Sequence, residues 1–214
     1  MNPRPVLIGS IPVRSWEDIV SIMDQPLPCD LVELRLDYMK SIGTDILNDL
    51  LQFKEKIILT VRDTDEGGVN HFPDNSRIKF MRSAFEMGFM TDLEARFLKR
   101  YPEMKAHIAS FHLLKGSLDK NYVAEMMSNL KGRYRFFKIA TVPGRENMQI
   151  LVDFIQSNSN VAAMEIGGNP LDRIAFSILG SRLLYCSLGE ATAEGQMKCA
   201  VASDILHSIW KPNL

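Results

Sequence analysis

Short apolar segments rich in Val, Ile, Leu and Phe alternate along the chain with segments of helical periodicity. In the helical segments the apolar residues lie three or four positions apart, as in Val123, Met126, Met127 and Leu130, so that they share one face. The apolar segments have the length of buried strands. They cover residues 6–13, 30–36, 56–62, 90–94, 105–112, 134–142, 161–166 and 182–188. The pattern therefore predicts eight strands, each followed by a helix.

Strands that alternate with helices pair in parallel through crossover connections. Eight such units close into a (β/α)8 barrel, which is compact here because about 250 residues is typical of that fold and this chain has 214. An open doubly wound sheet is the competing fold. It usually shows a glycine-rich turn after an early strand, and neither GxGxxG nor GxxxxGKS/T occurs. The sequence thus predicts an α/β protein with one (β/α)8 TIM barrel domain over residues 1–214.

The charge balance narrows the function classes. Lys and Arg total 25 and Asp and Glu total 26, for a formal net charge of −1, which argues against a nucleic-acid partner and against an anionic membrane surface. No apolar run reaches the ~18 residues of a membrane span. The N-terminal segment is a poor signal peptide, because Pro12 interrupts its short apolar stretch. We expect a soluble cytoplasmic protein that acts on a small molecule.

Cysteine and histidine spacing bears on the redox compartment and on metals. Cys29, Cys186 and Cys199 are odd in number and form no CxxC pair, which predicts buried free thiols in a reducing compartment. No set of His, Cys and carboxylate residues has zinc-like spacing, and HExxH does not occur in the sequence. We therefore expect no metal site.

Polar residues late in the predicted strands are the candidates for chemistry, because barrel enzymes carry their active sites at the carboxyl ends of the strands. Lys138 lies inside the apolar segment FFKIATV. Burial there would disfavour the ammonium form and lower the pKa of Lys138, so that the neutral amine can form a Schiff base with a ketone or aldehyde. The alternative is a lysine that extends to solvent or pairs with a carboxylate.

His112 ends the strand that precedes the strand of Lys138, so neighbouring strands would bring the two side chains together. A histidine with a pKa near neutrality can move protons at a carbon acid or at a leaving hydroxyl. A purely structural role for His112 is the alternative.

Arginines on or after separate strands indicate an anionic ligand. Arg35, Arg62 and Arg173 could bind a carboxylate or a phosphate through paired hydrogen bonds. Each could instead be a structural ion-pair partner, for instance Arg35 with Glu33 or Glu94. The carboxylates of the second and fourth strands are ambiguous in the same way.

Six segments stand at a predicted strand end or in the loop that follows it. They are VELRLD at 32–37, TVRDTDEGG at 60–68, DLE at 92–94, SFH at 110–112, FKIATVP at 137–143 and GEATAEGQ at 189–196. Taken together and in this order, they resemble the type I 3-dehydroquinate dehydratases of the shikimate pathway. The family fold is a (β/α)8 barrel. The resemblance implies dehydration of 3-dehydroquinate to 3-dehydroshikimate in aromatic amino-acid biosynthesis.

The resemblance also implies roles for individual residues. Lys138 matches the lysine that forms the Schiff base with the ring ketone, and His112 matches the general acid/base. Glu66 matches the carboxylate that orients and supports that histidine. No cofactor is implied, since the imine itself acts as the electron sink. The other matched positions are Glu33, Arg35 and Arg62 for the substrate hydroxyls and the pocket shape, Arg173 for the substrate carboxylate, and Thr192 and Gln196 on the closing loop.

The closing loop departs from the family pattern Ser-Ala-Pro-Gly-Gln, because residues 192–196 read Thr-Ala-Glu-Gly-Gln here. Thr192 keeps a hydroxyl but adds a methyl group, and Glu194 replaces a rigid proline with a flexible charged residue.

Two other function classes compete with the dehydratase. A class I aldolase or transaldolase would use the same Lys138 but cleave a carbon–carbon bond of a sugar phosphate, and Gly167 with Gly168 is a weak match to the phosphate loop it needs. A non-catalytic binding barrel is the third class, and the intact Lys138, His112 and Glu66 argue against it. No pattern reports the oligomeric state, for which a homodimer is the commonest assembly.

Overall fold

The computed structural model describes residues 2–211 and contains eight strands that alternate with helices. The strands are β1 Val6–Pro12, β2 Leu31–Arg35, β3 Ile57–Thr60, β4 Met90–Glu94, β5 Ile108–Leu113, β6 Phe136–Thr141, β7 Val161–Glu165 and β8 Leu183–Ser187. The helices are α1 Trp16–Met23, α2 Ile46–Leu50, α3 Asp74–Glu86, α4 Ala95–Arg100, α5 Lys120–Asn129, α6 Arg145–Ser157, α7 Pro170–Leu179 and α8 Cys199–Ile209. Short 3-10 turns cover Leu36–Tyr38, Leu51–Lys56 and Thr64–Glu66. All eight predicted strands are present.

Parallel pairing runs around the sheet in the order β7-β6-β5-β4-β3-β2-β1-β8, so β8 returns to pair with β1. At the remaining seam, the N–H of Arg182 donates to the carbonyl of Val161 at 2.9 Å, and the N–H of Ala163 donates to the hydroxyl of Ser181 at 3.0 Å. The sheet is therefore a nearly closed barrel. This confirms the predicted (β/α)8 fold and excludes an open doubly wound sheet, in which the last strand would not pair with the first.

The two faces of each strand divide the core. Side chains alternate between faces along a strand, so Phe137 and Ile139 of β6 pack outward in the layer beneath the helices, and Lys138 points inward. Inside the barrel, an apolar group fills the interior: Ile8, Ile58, Ile108, Ala140, Ala162, Met164, Leu183 and Tyr185. Farther along the same inward faces the side chains become polar. The site thus rests on an apolar interior at the carboxyl ends of the strands.

The cysteine prediction is wrong for two of the three residues. Cys186 of β8 and Cys199 of α8 form a disulfide bond, with 4.9 Å between their Cα atoms, and Cys29 is free. The barrel brings the end of its last strand next to the start of the last helix, a proximity that a spacing of 13 residues does not reveal. The cross-link encloses the loop of residues 187–198, which carries Thr192 and Gln196. None of the helices in residues 2–211 is long and apolar enough to cross a membrane.

We predict that the disulfide contributes about 3 kcal/mol to the free energy of unfolding, because a cross-link over a loop of this length limits the unfolded chain by about that amount. Urea unfolding of the oxidised protein and of the Cys186→Ala/Cys199→Ala variant measures the difference. Cys29→Ala is the matched control. Equal unfolding midpoints for the oxidised wild-type protein and the double variant would contradict the prediction.

Candidate active site

One cavity of about 210 Å³ lies at the carboxyl ends of the strands, and all nine predicted site residues line it. They are Glu33, Arg35, Arg62, Glu66, His112, Lys138, Arg173, Thr192 and Gln196. Four of them lie on parallel strands and the other five on segments that follow a strand, so the carboxyl ends of the strands bring together side chains distant in sequence. Within residues 2–211, no group of three or more His, Cys, Asp or Glu side chains could hold a metal ion.

Lys138 is buried, but carboxylates and an aromatic ring surround its amine. Nζ lies 3.3 Å from Oδ2 of Asp92, 3.7 Å from Oε1 of Glu33 and 4.0 Å from the centre of the Tyr185 ring. The apolar residues beside Lys138 in sequence point to the other face of the strand and do not shield the amine. Lys138 therefore pairs with carboxylates and does not extend to solvent, and its paired amine lines the cavity.

Arg62 organises the carboxylates of β4. Its guanidinium contacts Asp92 and Glu94 at 2.9 Å each and donates to the hydroxyl of Ser110 at 2.6 Å. Burial opposes the charge of Arg62, but the two carboxylates prevail and raise its pKa. Burial likewise opposes the charge of Asp92, yet Arg62 and Lys138 hold the pKa of Asp92 below its usual range. The result is a buried set of compensated charges.

Arg77 of α3 contacts this set from the helix layer, and it is not among the residues predicted from the sequence. Its guanidinium binds Glu94, contacts Asp63 at 2.8 Å and donates to the carbonyl of Val61 at 2.9 Å. Although it lies on a helix, Arg77 is 1% exposed. A helical arginine carries no strand-end signal, so no sequence pattern distinguished it from a surface residue.

Arg35 has a different partner from the two suggested by the sequence. The 3-10 turn after β2 brings Asp37 to the guanidinium of Arg35 at 2.7 and 2.9 Å, in place of Glu33 or Glu94. Asp37 also accepts from the backbone N–H of Val69 at 3.1 Å. Asp37 belongs to the segment VELRLD and lies two residues after Arg35. That spacing alone does not predict a contact, because the contact depends on the 3-10 turn. Arg35 is thus held in place by a local acidic partner.

His112 and Glu66 form a buried pair. Oε2 of Glu66 lies 3.0 Å from Nδ1 of His112 and accepts the backbone N–H of the same residue at 2.8 Å. This contact favours a proton on Nδ1 and leaves Nε2 for the cavity. Burial and the nearby Glu94 raise the pKa of Glu66. Burial and the cations Arg62 and Lys138 lower the pKa of His112, so its ring is neutral and can accept a proton.

Arg173 of α7 differs from the other two arginines because its partners are neutral. It donates to the backbone carbonyls of Tyr185 at 3.3 Å, Glu165 at 3.1 Å and Glu194 at 3.4 Å. Within residues 2–211, no acidic side chain forms a salt bridge with it, and burial lowers the pKa of Arg173 to about 10. A buried guanidinium without an acidic partner is a site for an anion.

The loop over the cavity is closed by contacts of its own residues. The hydroxyl of Thr192 donates to that of Ser10 at 2.8 Å, and the backbone N–H of Thr192 donates to the side chain of Gln196 at 3.0 Å. The backbone carbonyl of Glu194 accepts from the N–H of Gly167 at 3.1 Å. The threonine that replaces the family's serine therefore uses its hydroxyl in closure, and Glu194 holds the loop through its backbone.

The fold and the arrangement of the cavity agree with a comparison to known families. A sequence model described as type I 3-dehydroquinase matches residues 10–211. The chain belongs to this family. The resemblance predicted from six segments is confirmed.

Individual relatives agree with the family assignment. The 3-dehydroquinate dehydratase of Sulfolobus acidocaldarius is 37% identical over 206 residues, which cover 96% of this chain and 94% of the relative. That of Metallosphaera sedula is 32% identical, with 97% and 99% covered. Among solved structures, the type I 3-dehydroquinate dehydratase of Clostridium difficile superposes with a TM-score of 0.77 at 19% identity, over 99% of this chain and 94% of the other. At that identity, the likeness supports the barrel fold.

We predict that His112 titrates below the ordinary value of 6.5. Burial and the surrounding cations, which are Arg62, Lys138, Arg35 and Arg96, disfavour the imidazolium form. The unfolded chain then binds more protons than the folded one below about pH 6.5, so the contribution of His112 to stability declines as the pH falls through this range.

NMR titration of the histidine ring protons tests this prediction, with His112→Gln used to assign the resonance. A His112 midpoint at or above 6.5 would be inconsistent with it.

Proposed function

We propose that this chain dehydrates 3-dehydroquinate to 3-dehydroshikimate, a step of the shikimate pathway of aromatic amino-acid biosynthesis, through an imine on Lys138. Membership of the type I 3-dehydroquinase family supports the reaction. The observation that carries the mechanism is the arrangement of one cavity, where the amine of Lys138, the His112–Glu66 pair and the guanidinium of Arg173 line the same space.

The substrate carboxylate has one natural partner in this cavity. Arg35 and Arg62 already have acidic partners, whereas Arg173 has only neutral ones within the described residues, namely backbone carbonyls and the sulfur of Met164. A substrate carboxylate at Arg173 would neutralise that buried charge and fix one end of the ring. The substrate hydroxyls would then face Glu33, Arg35 and Arg62. Thr192 and Gln196 would close over the ring and exclude water.

Imine formation requires the amine of Lys138 in its neutral form. Asp92, 3.3 Å from Nζ, is placed to take part in the proton transfers of this step. The amine adds to the ketone carbon, and the carbonyl oxygen leaves as water with the two hydrogens that the lysine nitrogen gives up. One is released when the ammonium becomes the neutral amine and the other after addition, and His112 relays them to the oxygen. The product is a protonated imine, which withdraws electrons from the neighbouring carbon.

Elimination follows from that electron demand. The neutral ring of His112 removes a proton from the carbon next to the imine, and the enamine that forms expels the ring hydroxyl as water with a proton from the same histidine. Glu66 keeps the ring of His112 oriented through Nδ1. Hydrolysis of the imine then releases the product and restores Lys138. No cofactor enters this proposal, because the imine stores the electron pair.

The aldolase alternative finds less support in the cavity. A phosphate loop would present free backbone N–H groups after β7, but the N–H of Gly167 donates to the carbonyl of Glu194. Arg173 is a single unpaired guanidinium, which suits the single negative charge of a carboxylate. We therefore expect that the protein does not turn over sugar phosphates.

We also propose that the enzyme acts in the cytoplasm, binds a small-molecule substrate and assembles as a homodimer. The proposed location rests on the sequence. The cysteines do not support it, because two of them form a disulfide bond. Sedimentation equilibrium of the purified protein measures the assembly state. A monomer would contradict the homodimer.

We expect borohydride reduction in the presence of 3-dehydroquinate to leave a substrate-derived mass on Lys138. Peptide mass spectrometry locates the adduct, and ultraviolet absorbance of the conjugated enone follows turnover in an unreduced sample. Lys138→Met should lose both signals because it has no amine. Lys120→Met is the matched control, since Lys120 is an exposed surface residue paired with Asp153. Full turnover by Lys138→Met would overturn the imine mechanism.

We expect Arg173→Gln to lower kcat/KM by about 30-fold or more, because losing one partner of a buried charge-assisted contact costs at least about 2 kcal/mol. Arg82→Gln is the control, as Arg82 forms an exposed ion pair with Glu103. The carboxamide analogue of the substrate sharpens the test. We expect the wild-type enzyme to have a low kcat/KM for the carboxamide, and Arg173→Gln to lower that value only a little further. An equal loss for substrate and carboxamide would argue against a carboxylate contact.

A further inference from the structure

Tyr185 of β8 lines the cavity and has no role in the proposed mechanism. It is 2% exposed, and its hydroxyl is buried without a hydrogen-bond partner in the described structure. Its ring face lies 4.0 Å from Nζ of Lys138. The ring face is therefore the part of Tyr185 that contacts the amine.

The position of Tyr185 connects two parts of the site. Its ring faces the amine of Lys138, and its backbone carbonyl accepts from Arg173 at 3.3 Å. Tyr185 pairs in register with Ile8 of β1, and its side chain lies with Ile8 in the apolar interior of the barrel. The ring therefore contacts the amine from the apolar interior of the barrel.

We propose that the ring of Tyr185 is a further catalytic group, which stabilises the positive charge on the Lys138 nitrogen while the substrate is held as a protonated imine. This inference rests on the proposed role of Lys138 as the imine-forming residue. A cation over the face of an aromatic ring is attracted by the ring quadrupole, and the attraction is strongest where water is excluded.

The number of N–H groups explains why the ring matters more after imine formation. The nitrogen of Lys138 forms a bond to the carbonyl carbon, the oxygen departs as water, and the nitrogen keeps one hydrogen and its positive charge. An ammonium has three donors for Asp92 and Glu33, but the protonated imine has one. That single N–H can point at only one of the two carboxylates. The attraction of the Tyr185 ring needs no N–H and persists through the step.

The hydroxyl of Tyr185 is not required by this role. Burial, together with Glu33 and Asp92, raises the pKa of Tyr185, so the phenol stays neutral and the ring remains the interacting group. The hydroxyl has no hydrogen-bond partner within the described residues, so removing it breaks no hydrogen bond there. Phenylalanine at this position should therefore preserve the function.

The first test compares Tyr185→Phe with Tyr185→Leu. The phenylalanine variant keeps the ring and is the matched control, so its kcat should stay within about twofold of the wild-type value. The leucine variant keeps an apolar side chain without a π face. Its kcat should fall by about 30-fold, which is about 2 kcal/mol at 1.36 kcal/mol per factor of ten. Equal activity of the two variants, or an equal loss in both, would overturn the inference.

A second measurement separates charge stabilisation from packing, because leucine also changes the packing. Phenylalanine, 4-fluoro-, 3,5-difluoro- and 3,4,5-trifluorophenylalanine at position 185 weaken the ring quadrupole step by step at nearly constant shape. We expect kcat, and the fraction of Lys138 trapped by borohydride during turnover, to decline stepwise along the series while the unfolding temperature stays level. A structural role would leave both quantities unchanged, and that result would refute the inference.

The trapping experiment also distinguishes the two proposals. A wild-type enzyme that turns over but gives no adduct on Lys138 would overturn the imine mechanism, and the role of Tyr185 with it. An adduct on Lys138 that forms equally in every member of the fluorinated series would overturn the role of Tyr185 alone.

Discussion

The buried guanidinium of Arg62 is the contact on which the polar half of the barrel depends. It holds Asp92 and Glu94 on β4, and those carboxylates in turn bind Lys138 and Arg77. Charges can be buried when opposite charges and hydrogen bonds replace the lost hydration. Removal of any one member would take a partner away from at least one other buried charge, in a layer that solvent barely reaches. The free-energy cost of such a loss favours one arrangement of β4, β6, α3 and the segment after β3.

Two cationic or ionisable side chains that face the cavity, Arg173 and His112, are not part of this charge pairing. Arg173 donates to carbonyl oxygens and keeps its positive charge available to an anion. His112 is paired with Glu66 but surrounded by cations, so burial and neighbouring charge keep its ring neutral. The same low-dielectric environment therefore produces a charged binding group and a neutral base, since the local partners differ. This separation suits a reaction that holds a carboxylate while protons move at the other end of the ring.

Strand β8 connects these functions to the loop that closes the cavity. Tyr185 contacts Lys138 through its ring and Arg173 through its carbonyl, and the next residue, Cys186, is cross-linked to Cys199. The loop between the two cysteines carries the residues that close over the cavity. A displacement at the end of β8 would change the base of that loop and the surroundings of the amine together, because they share one strand.

The sequence by itself determined the eight strands and helices, the barrel, the family and nine of the residues that line the cavity. The periodicity of apolar residues indicates which face of each element is buried. A polar residue late in a parallel strand lies at the end of the barrel where the carboxyl ends of the strands meet. The tertiary structure alone decided which charges meet: Asp37 with Arg35, and Arg77 with Glu94. It also decided the disulfide and the position of Tyr185 beneath the amine. These contacts depend on turns and on the approach of separate elements, which residue spacing along the chain does not encode.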